Sequence, residues 1–169
     1  MGVSINAIEL KKLIDLEIAS VRDRRIADYV RRLLVEPSIT MRGWDYGSPG
    51  EEYPCWTVLD DGVGGIAYCE QGFGPRCPWG LVFTSGEADR PMSMGMDSGW
   101  FPTFLEAFFD SQTAIPLPIW QVFRIDTDTG EVGDAVTGEL EWGPAWEQCE
   151  ELRRANPDSR YVVHQPVCP

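Results

Sequence analysis

The five cysteines and the one histidine are the residues of this chain with the widest range of chemistry. The cysteines stand at irregular spacings, at Cys55, Cys69, Cys77, Cys149 and Cys168. A thiol becomes a useful nucleophile only where a base or a positive charge favours the thiolate. No cysteine is near His164 in a recognisable motif. The sequence therefore assigns no catalytic residue.

The same cysteines do not have the spacing of a metal site or of a disulfide framework. Cys69 and Cys77 enclose seven residues, whereas a zinc knuckle encloses roughly two to four. An odd number of cysteines also does not fit a secreted disulfide domain. We expect free thiols that are mostly buried, no bound metal and no cofactor.

One glycine motif resembles a dinucleotide-binding loop. "GVGGIA", residues 62–67, has the G-x-G-x-x-A spacing. A helix must follow this motif to receive the pyrophosphate, but the next residues include Gly72, Gly74 and Pro75, which break helices. The segment instead predicts a β-hairpin turn.

Two groups of acids also invite a functional interpretation. "DTDTGE", residues 126–131, resembles a calcium loop, but the glycine falls one position too early and Thr137 stands where the loop needs glutamate. The pairs Glu51/Glu52 and Asp60/Asp61 lie in turn-rich segments, where carboxylates are solvated and ionised. These segments predict turns and no general acid.

The distribution of charge is uneven along the chain. Residues 1–42 hold eight Lys/Arg and six Asp/Glu, a net charge of +2. Residues 43–169 hold six Arg and twenty-one acids, a net charge of −15. Such a body repels nucleic acids and anionic membrane surfaces. A cationic protein is the partner that this charge favours.

Local patterns predict helices at four places. Asn6 and Glu9 have capping-box spacing before a first helix, and a second helix ends at Glu36–Pro37. Their expected apolar stripes are Ile8, Leu13, Ile14, Leu16 and Val21 in the first, and Ile26, Tyr29, Val30, Leu33 and Leu34 in the second.

A third helix, "TFLEAFFDS", is capped by Thr103, and its expected apolar face is Phe104, Leu105, Phe108 and Phe109. The fourth is "GPAWEQCEELRRANP", with Trp146, Cys149 and Leu152 as its buried stripe.

Strands are predicted between these helices. "CWTVLDDGVGGIAYC" indicates a strand, a turn and a strand, and "PWGLVFTSG" and "MSMGM" add two more. Further strands are expected at "IWQVFRI", from Val132 to Leu140, and at "RYVVHQ". The tract "YCEQGFGPRCPWGLVF", residues 68–83, is expected to be a corner between strands.

We therefore predict an α+β fold with N-terminal helices, a central antiparallel sheet and a C-terminal β-β-α-β module. Residues 1–115 form the main domain, and residues 116–169 form the module, either joined to the same domain or as a small second lobe.

Two aromatic, acid-containing loops and the corner supply the candidate binding residues. The loops are "GWDYGSPGEEY" and "MGMDSGWFP". Trp and Tyr are enriched among the residues that dominate protein interfaces. The candidates are Trp44, Asp45, Tyr46, Phe73, Asp97 and Trp100, and the alternative is that these rings cap the core.

The tract "GFGPRCPWGLVF" followed by "MGMDSGWFPTFLEAF" resembles small uncharacterised bacterial proteins over about residues 43–112. The resemblance implies a bacterial, cytoplasmic protein, and it assigns no activity and no catalytic residue. The N-terminus agrees with that location, since it has no apolar signal region and Asn6 replaces the Ser or Thr of a myristoylation signal.

The sequence favours a non-catalytic module that binds a basic protein, in the manner of an immunity or antitoxin-like inhibitor. One alternative is an enzyme or small-ligand protein with a pocket near residues 44–53. Another is a structural or scaffolding domain. The oligomeric state is left open.

Overall fold

The computed structural model describes residues 5–43, 48, 50–71, 76–84 and 99–165. The chain divides into two compact units, Met1–Ala114 and Ile115–Pro169. The helices among the described residues are α1 (Ala7–Ser20), α2 (Arg24–Leu33), α3 (Phe104–Asp110) and α4 (Trp142–Ala155). The strands are β1 (Leu34–Gly43), β2 (Glu52–Asp60), β3 (Gly64–Tyr68), β4 (Trp79–Phe83), β5 (Trp100–Phe101), β6 (Gln121–Ile125), β7 (Val132–Ala135) and β8 (Arg160–His164). The predicted α+β class is confirmed.

Helix α1 begins with the predicted capping box. The Asn6 side chain accepts hydrogen bonds from the backbone N–H groups of Ile8 and Glu9, and the Glu9 carboxylate accepts one from the Asn6 N–H. Its buried face consists of Leu10, Ile14 and Ile18. These residues are four apart, so they lie in one row on the helix.

The predicted stripe of α1 is wrong except at Ile14 and Val21, which are buried. Ile8 and Leu16 are 68% and 71% exposed. They lie outside the buried row that contains Leu10 and Ile18. Apolar residues occur on both the buried and the exposed face of α1, so their approximate helical spacing does not identify the buried one.

Helix α2 is shorter than predicted, because the chain turns into a strand at Leu34. Leu34 has an extended conformation, with ψ of 135°. β1 pairs antiparallel with β2, and its register shifts between Leu34 and Ser38. Such a bulge accommodates Pro37, which has no N–H for the ladder. The prediction of a helix that ends at Glu36–Pro37 is wrong, because α2 ends at Leu33 and β1 begins at Leu34.

The first unit contains a five-stranded antiparallel sheet in the order β1-β2-β3-β4-β5. The predicted hairpin of β2 and β3 and the strand β4 are confirmed. The strand predicted at residues 92–96 and the corner residues 72–75 lie outside the described residues.

Helix α3 packs against this sheet. Its buried side chains are Phe104, Ala107 and Phe108, and the Phe104 ring meets the Trp79 ring of β4 edge to face at 5.3 Å. Leu105 and Phe109, predicted on the same face, are only half-buried.

A carboxylate from α1 helps to hold the N-terminus of α3. Glu17 accepts hydrogen bonds from the N–H groups of Phe104 at 3.2 Å and Leu105 at 2.9 Å. Burial raises the pKa of Glu17 above its ordinary value of 4.5, while the two N–H groups act in the opposite direction. α1 and α3 are therefore joined by a polar contact as well as by their apolar faces.

The second unit is a three-stranded antiparallel sheet, in the order β7-β6-β8, with α4 on one face. Its core contains Val122, Cys149 and Tyr161, with Leu152 and Val163 packed against them. The strand predicted from Val132 to Leu140 is shorter, since β7 ends at Ala135 and Leu140 makes an isolated bridge with Trp120.

Within the described ranges, no helix is long and apolar enough to cross a bilayer.

Candidate functional site

Most of the binding residues predicted from the sequence cannot be placed. The five that lie outside the described residues are Trp44, Asp45, Tyr46, Phe73 and Asp97. The sixth, Trp100, is half-buried in β5.

The indole ring of Trp100 covers the position of a glycine in the neighbouring strand. Trp100 pairs with Gly80 of β4, and a Cβ added at Gly80 would come within 2.9 Å of the indole ring. The ring also packs against the buried cluster of Cys55, Ala67 and Cys69. The buried side of the Trp100 ring therefore packs on the sheet. Whether its exposed side binds a partner stays a prediction.

The acid pair at the first hairpin organises a turn. Asp60 accepts a hydrogen bond from the N–H of Gly62, and Asp61 accepts from the N–H groups of Val63 and Gly64. Gly62 has a φ of +91°, in the region that favours glycine. A strand follows this turn, as the hairpin prediction requires, so "GVGGIA" is not a nucleotide-binding loop.

The "DTDTGE" segment is likewise a hairpin turn, between β6 and β7. Asp126 accepts hydrogen bonds from the N–H groups of Asp128 at 2.9 Å and Thr129 at 2.8 Å. These bonds lower the pKa of Asp126 below its ordinary value. Gly130 completes the turn at a φ of +75°.

His164 and Cys149 do not form a catalytic pair. The side chains of Val122 and Tyr161 pack with Cys149 beneath α4. Successive residues of a strand point to opposite faces, so His164, three residues after Tyr161, lies on the other face. There it meets the Phe123 ring edge to face at 6.3 Å.

The described residues contain no group of three or more His, Cys, Asp or Glu side chains that could hold a metal ion.

The surface of α4 carries an aromatic pair, Trp142 and Trp146, of which Trp146 is predicted from the sequence to be buried. Trp142 and Trp146 are one turn apart, and their rings stack at 5.5 Å with an interplanar angle of 10°. Trp146 is 43% exposed, so the prediction that it belongs to the buried stripe is wrong. The stripe runs through Ala145 and Cys149 instead.

Arg153 holds this pair in place. Its guanidinium carbon lies over the Trp146 ring, 5.6 Å from the centroid. The same group donates to the Glu150 carboxylate at 2.6 Å and to the Tyr161 carbonyl of β8 at 2.7 Å. We call Trp142, Trp146, Glu150 and Arg153 the tryptophan surface.

Carboxylates occupy the face of α4 next to the tryptophan surface, because Glu147 follows Trp146 by one residue, about 100° around the helix, and Glu151 lies one turn further on. Glu147 and Glu151 are exposed, and neither makes an ion pair with another described residue. The unit to which they belong, residues 115–169, holds four Arg and ten acids, a net charge of −6. The surface thus combines rigid rings with a negative field.

A helical projection of the sequence contained the signal for this surface. Ala145, Cys149 and Leu152 follow the i, i+4, i+7 pattern of a single buried row. Trp146 is one residue, or about 100°, from Ala145 on the helix, and stands one turn after Trp142. Two tryptophans at i and i+4 beside a complete apolar row indicate a second aromatic face.

No protein-family model, curated protein or solved structure matches this chain. Function is therefore inferred from the geometry and the charge of the residues themselves.

Proposed function

We propose that this protein is a non-catalytic binding module that recognises a basic protein, as an immunity or antitoxin-like inhibitor does. The observation that carries the proposal is the exposed Trp146 ring, stacked on the half-buried Trp142 on a helix that also carries exposed carboxylates. A bacterial cytoplasmic setting is part of the proposal, and it rests on the resemblance expected for residues 43–112 from their sequence alone.

The tryptophan surface supplies an anchor for a partner. Trp is among the residues that contribute most to interface energies. Stacking on Trp142 and the contact with Arg153 restrict the Trp146 ring before any partner arrives. A ring that is already ordered loses little conformational entropy on binding.

The acidic side chains supply steering and specificity. A net charge of −15 over residues 43–169 attracts a cationic protein and speeds its encounter. The same charge repels nucleic acids, whose binding depends on cationic side chains. The carboxylates of Glu147 and Glu151 are exposed on the neighbouring face of α4, where they are available to basic groups of the partner.

The candidates from the sequence belong to the same proposal. Trp44, Tyr46 and Trp100 are proposed as additional anchors, with Asp45 and Asp97 as acidic neighbours and Phe73 as an aromatic edge.

Capture from a bacterial lysate at low salt tests the proposal. The bait is the wild-type protein or the variants Trp146→Ala and Glu147→Gln/Glu151→Gln. The matched controls are Leu16→Ala, which removes a 71% exposed apolar side chain, and Asp15→Asn, which removes a charge from the exposed surface of α1.

We expect a basic protein to be retained by the wild type and by both controls. Trp146→Ala and the double glutamine variant should each weaken retention at least tenfold. Capture of acidic proteins only, or equal retention by all the variants, would contradict the proposal.

A further inference from the structure

Two thiols face each other inside the first unit. Cys55 lies in β2, and Cys69 follows the last residue of β3. The register pairs Trp56 with Tyr68, so one further step places Cys55 opposite Cys69. Both side chains are 0% exposed, and they pack in one cluster with Ala67. Side chains at directly opposite positions lie on the same face of a sheet.

The backbone hydrogen bonds define the kind of pair that these residues form. The Cys69 N–H donates to the Pro78 carbonyl at 2.8 Å, on the β4 side of the sheet. Its backbone groups therefore point away from β2, which makes Cys55 and Cys69 a non-hydrogen-bonded pair. The Cα atoms of such a pair are about 4.5 Å apart, within the range that a disulfide spans.

The two thiols interact directly with each other. The hydrogen bond between their side chains, together with burial, raises the pKa of Cys55 far above its ordinary value. The guanidinium of Arg42, which is only 5% exposed, acts in the opposite direction but with a smaller effect. The Cys55 thiol is thus held neutral beside Cys69.

We propose that Cys55 and Cys69 are a modification site, a dithiol that is reversibly oxidised to a cross-strand disulfide by a low-molecular-weight disulfide. The inference is independent of the proposed binding function.

The chemistry balances in two exchange steps. The thiolate of one cysteine attacks a sulfur of the small disulfide, and one small thiol leaves. The other cysteine then attacks the protein sulfur of the mixed disulfide, and the second small thiol leaves. The two protein thiols lose two electrons and two protons, which the small disulfide gains as it becomes two thiols.

The environment of the pair sets the rate of this reaction. Complete burial and a raised thiol pKa both reduce the supply of accessible thiolate. Cys77 is partly exposed, so it should react with the small disulfide first and form a mixed disulfide. The Cys55–Cys69 bond should form more slowly, as the sheet opens locally.

Oxidation of the native wild-type protein tests the proposal. The protein is incubated in buffers with increasing ratios of oxidised to reduced glutathione, then acid-quenched, alkylated and digested. Mass spectrometry identifies the linked peptides, and thermal unfolding is measured in parallel. The variants Cys77→Ser and Cys149→Ala serve as controls, since each removes a thiol outside the pair.

We expect a peptide linked through Cys55 and Cys69 that has lost two hydrogens and is restored by dithiothreitol. Both control variants should still form it. The closed loop of residues 55–69 should raise the unfolding midpoint by roughly 5 to 10 °C. Cys69 linked to Cys77, separate glutathione adducts on Cys55 and Cys69, or both thiols recovered reduced at every ratio would overturn the proposal.

Discussion

The contact between Glu17 and α3 leads to a quantitative prediction for Glu17→Ala. The substitution removes two hydrogen bonds from backbone N–H groups at the start of α3, at 3.2 and 2.9 Å. A hydrogen bond contributes about 0.5 to 1.5 kcal/mol, and the charge of Glu17 is credited with nothing further, because burial outweighs the two N–H groups and raises its pKa. We expect the free energy of unfolding to fall by about 2 kcal/mol.

Thermal unfolding of Glu17→Ala, followed by circular dichroism, measures this effect. A loss of about 2 kcal/mol lowers the midpoint by roughly 4 to 8 °C in a chain of this length. Asp15→Ala is the control, because it removes an exposed carboxylate from the same helix. That variant should change the free energy of unfolding by less than about 0.5 kcal/mol.

The pH dependence of Glu17→Gln tests the same contact by a second route. The folded protein raises the pKa of Glu17, so this residue contributes most to stability below the ordinary value of 4.5. That contribution falls as the pH rises through the folded pKa. Glutamine does not titrate, so wild type should lose stability relative to Glu17→Gln between pH 4 and neutrality. An equal loss for Glu17→Ala and Asp15→Ala, or a wild type that gains stability over Glu17→Gln in that range, would refute the reasoning.

Two further predictions concern the hairpin turns. Gly62→Ala should lower the free energy of unfolding by about 1 to 2 kcal/mol. Gly62 has a φ of +91°, and a Cβ added there would meet no atom within 4 Å, so the cost is backbone strain alone. Urea denaturation measures this loss against the control Gly138→Ala, where an added Cβ also meets no atom. Asp126→Ala should destabilise the protein at neutral pH but not in acid. The folded protein lowers the pKa of Asp126, so the stability that this carboxylate contributes disappears as the pH falls through its pKa in the folded state. Unfolding midpoints of the wild type and the variant, measured from pH 7 to pH 2, would contradict this if their difference stayed constant.

Features encoded over a few residues could be predicted from the sequence. The capping pairs Asn6/Glu9 and Thr103/Glu106 and the Asp/Gly hairpins each depend on side chains that bond to nearby backbone groups. Their outcome is the same in many tertiary settings, so short patterns indicate them well.

Features that depend on distant pairing could not be predicted in the same way. β1 is a strand because it pairs with β2. Its own residues do not indicate a strand, since Pro37 lacks an N–H and Leu34 continues the helical apolar pattern of α2. The pairing of Cys55 with Cys69 follows from sheet register, which their spacing does not reveal. The exposure of Trp146, by contrast, belongs to the predictable features, because the complete apolar row of Ala145, Cys149 and Leu152 leaves Trp146 on a different face of α4.

The aromatic loop candidates remain predictions of a different kind. Trp44, Tyr46 and Asp97 are candidates because of their residue types and their place in turn-rich segments. Among the residues that the structure does describe, the tryptophan surface has the clearer geometry for an interface, since its rings and its charged neighbours have defined positions.

The central claim is that an acidic surface recruits a basic protein through electrostatic attraction, with tryptophan as the anchor. The most direct test is the rate of association with the captured partner as a function of salt. Raising the ionic strength to 0.15 M shortens the Debye length to about 8 Å. We predict that association slows steeply, that dissociation changes little, and that Trp146→Ala speeds dissociation instead. An association rate that does not respond to salt would contradict the claim.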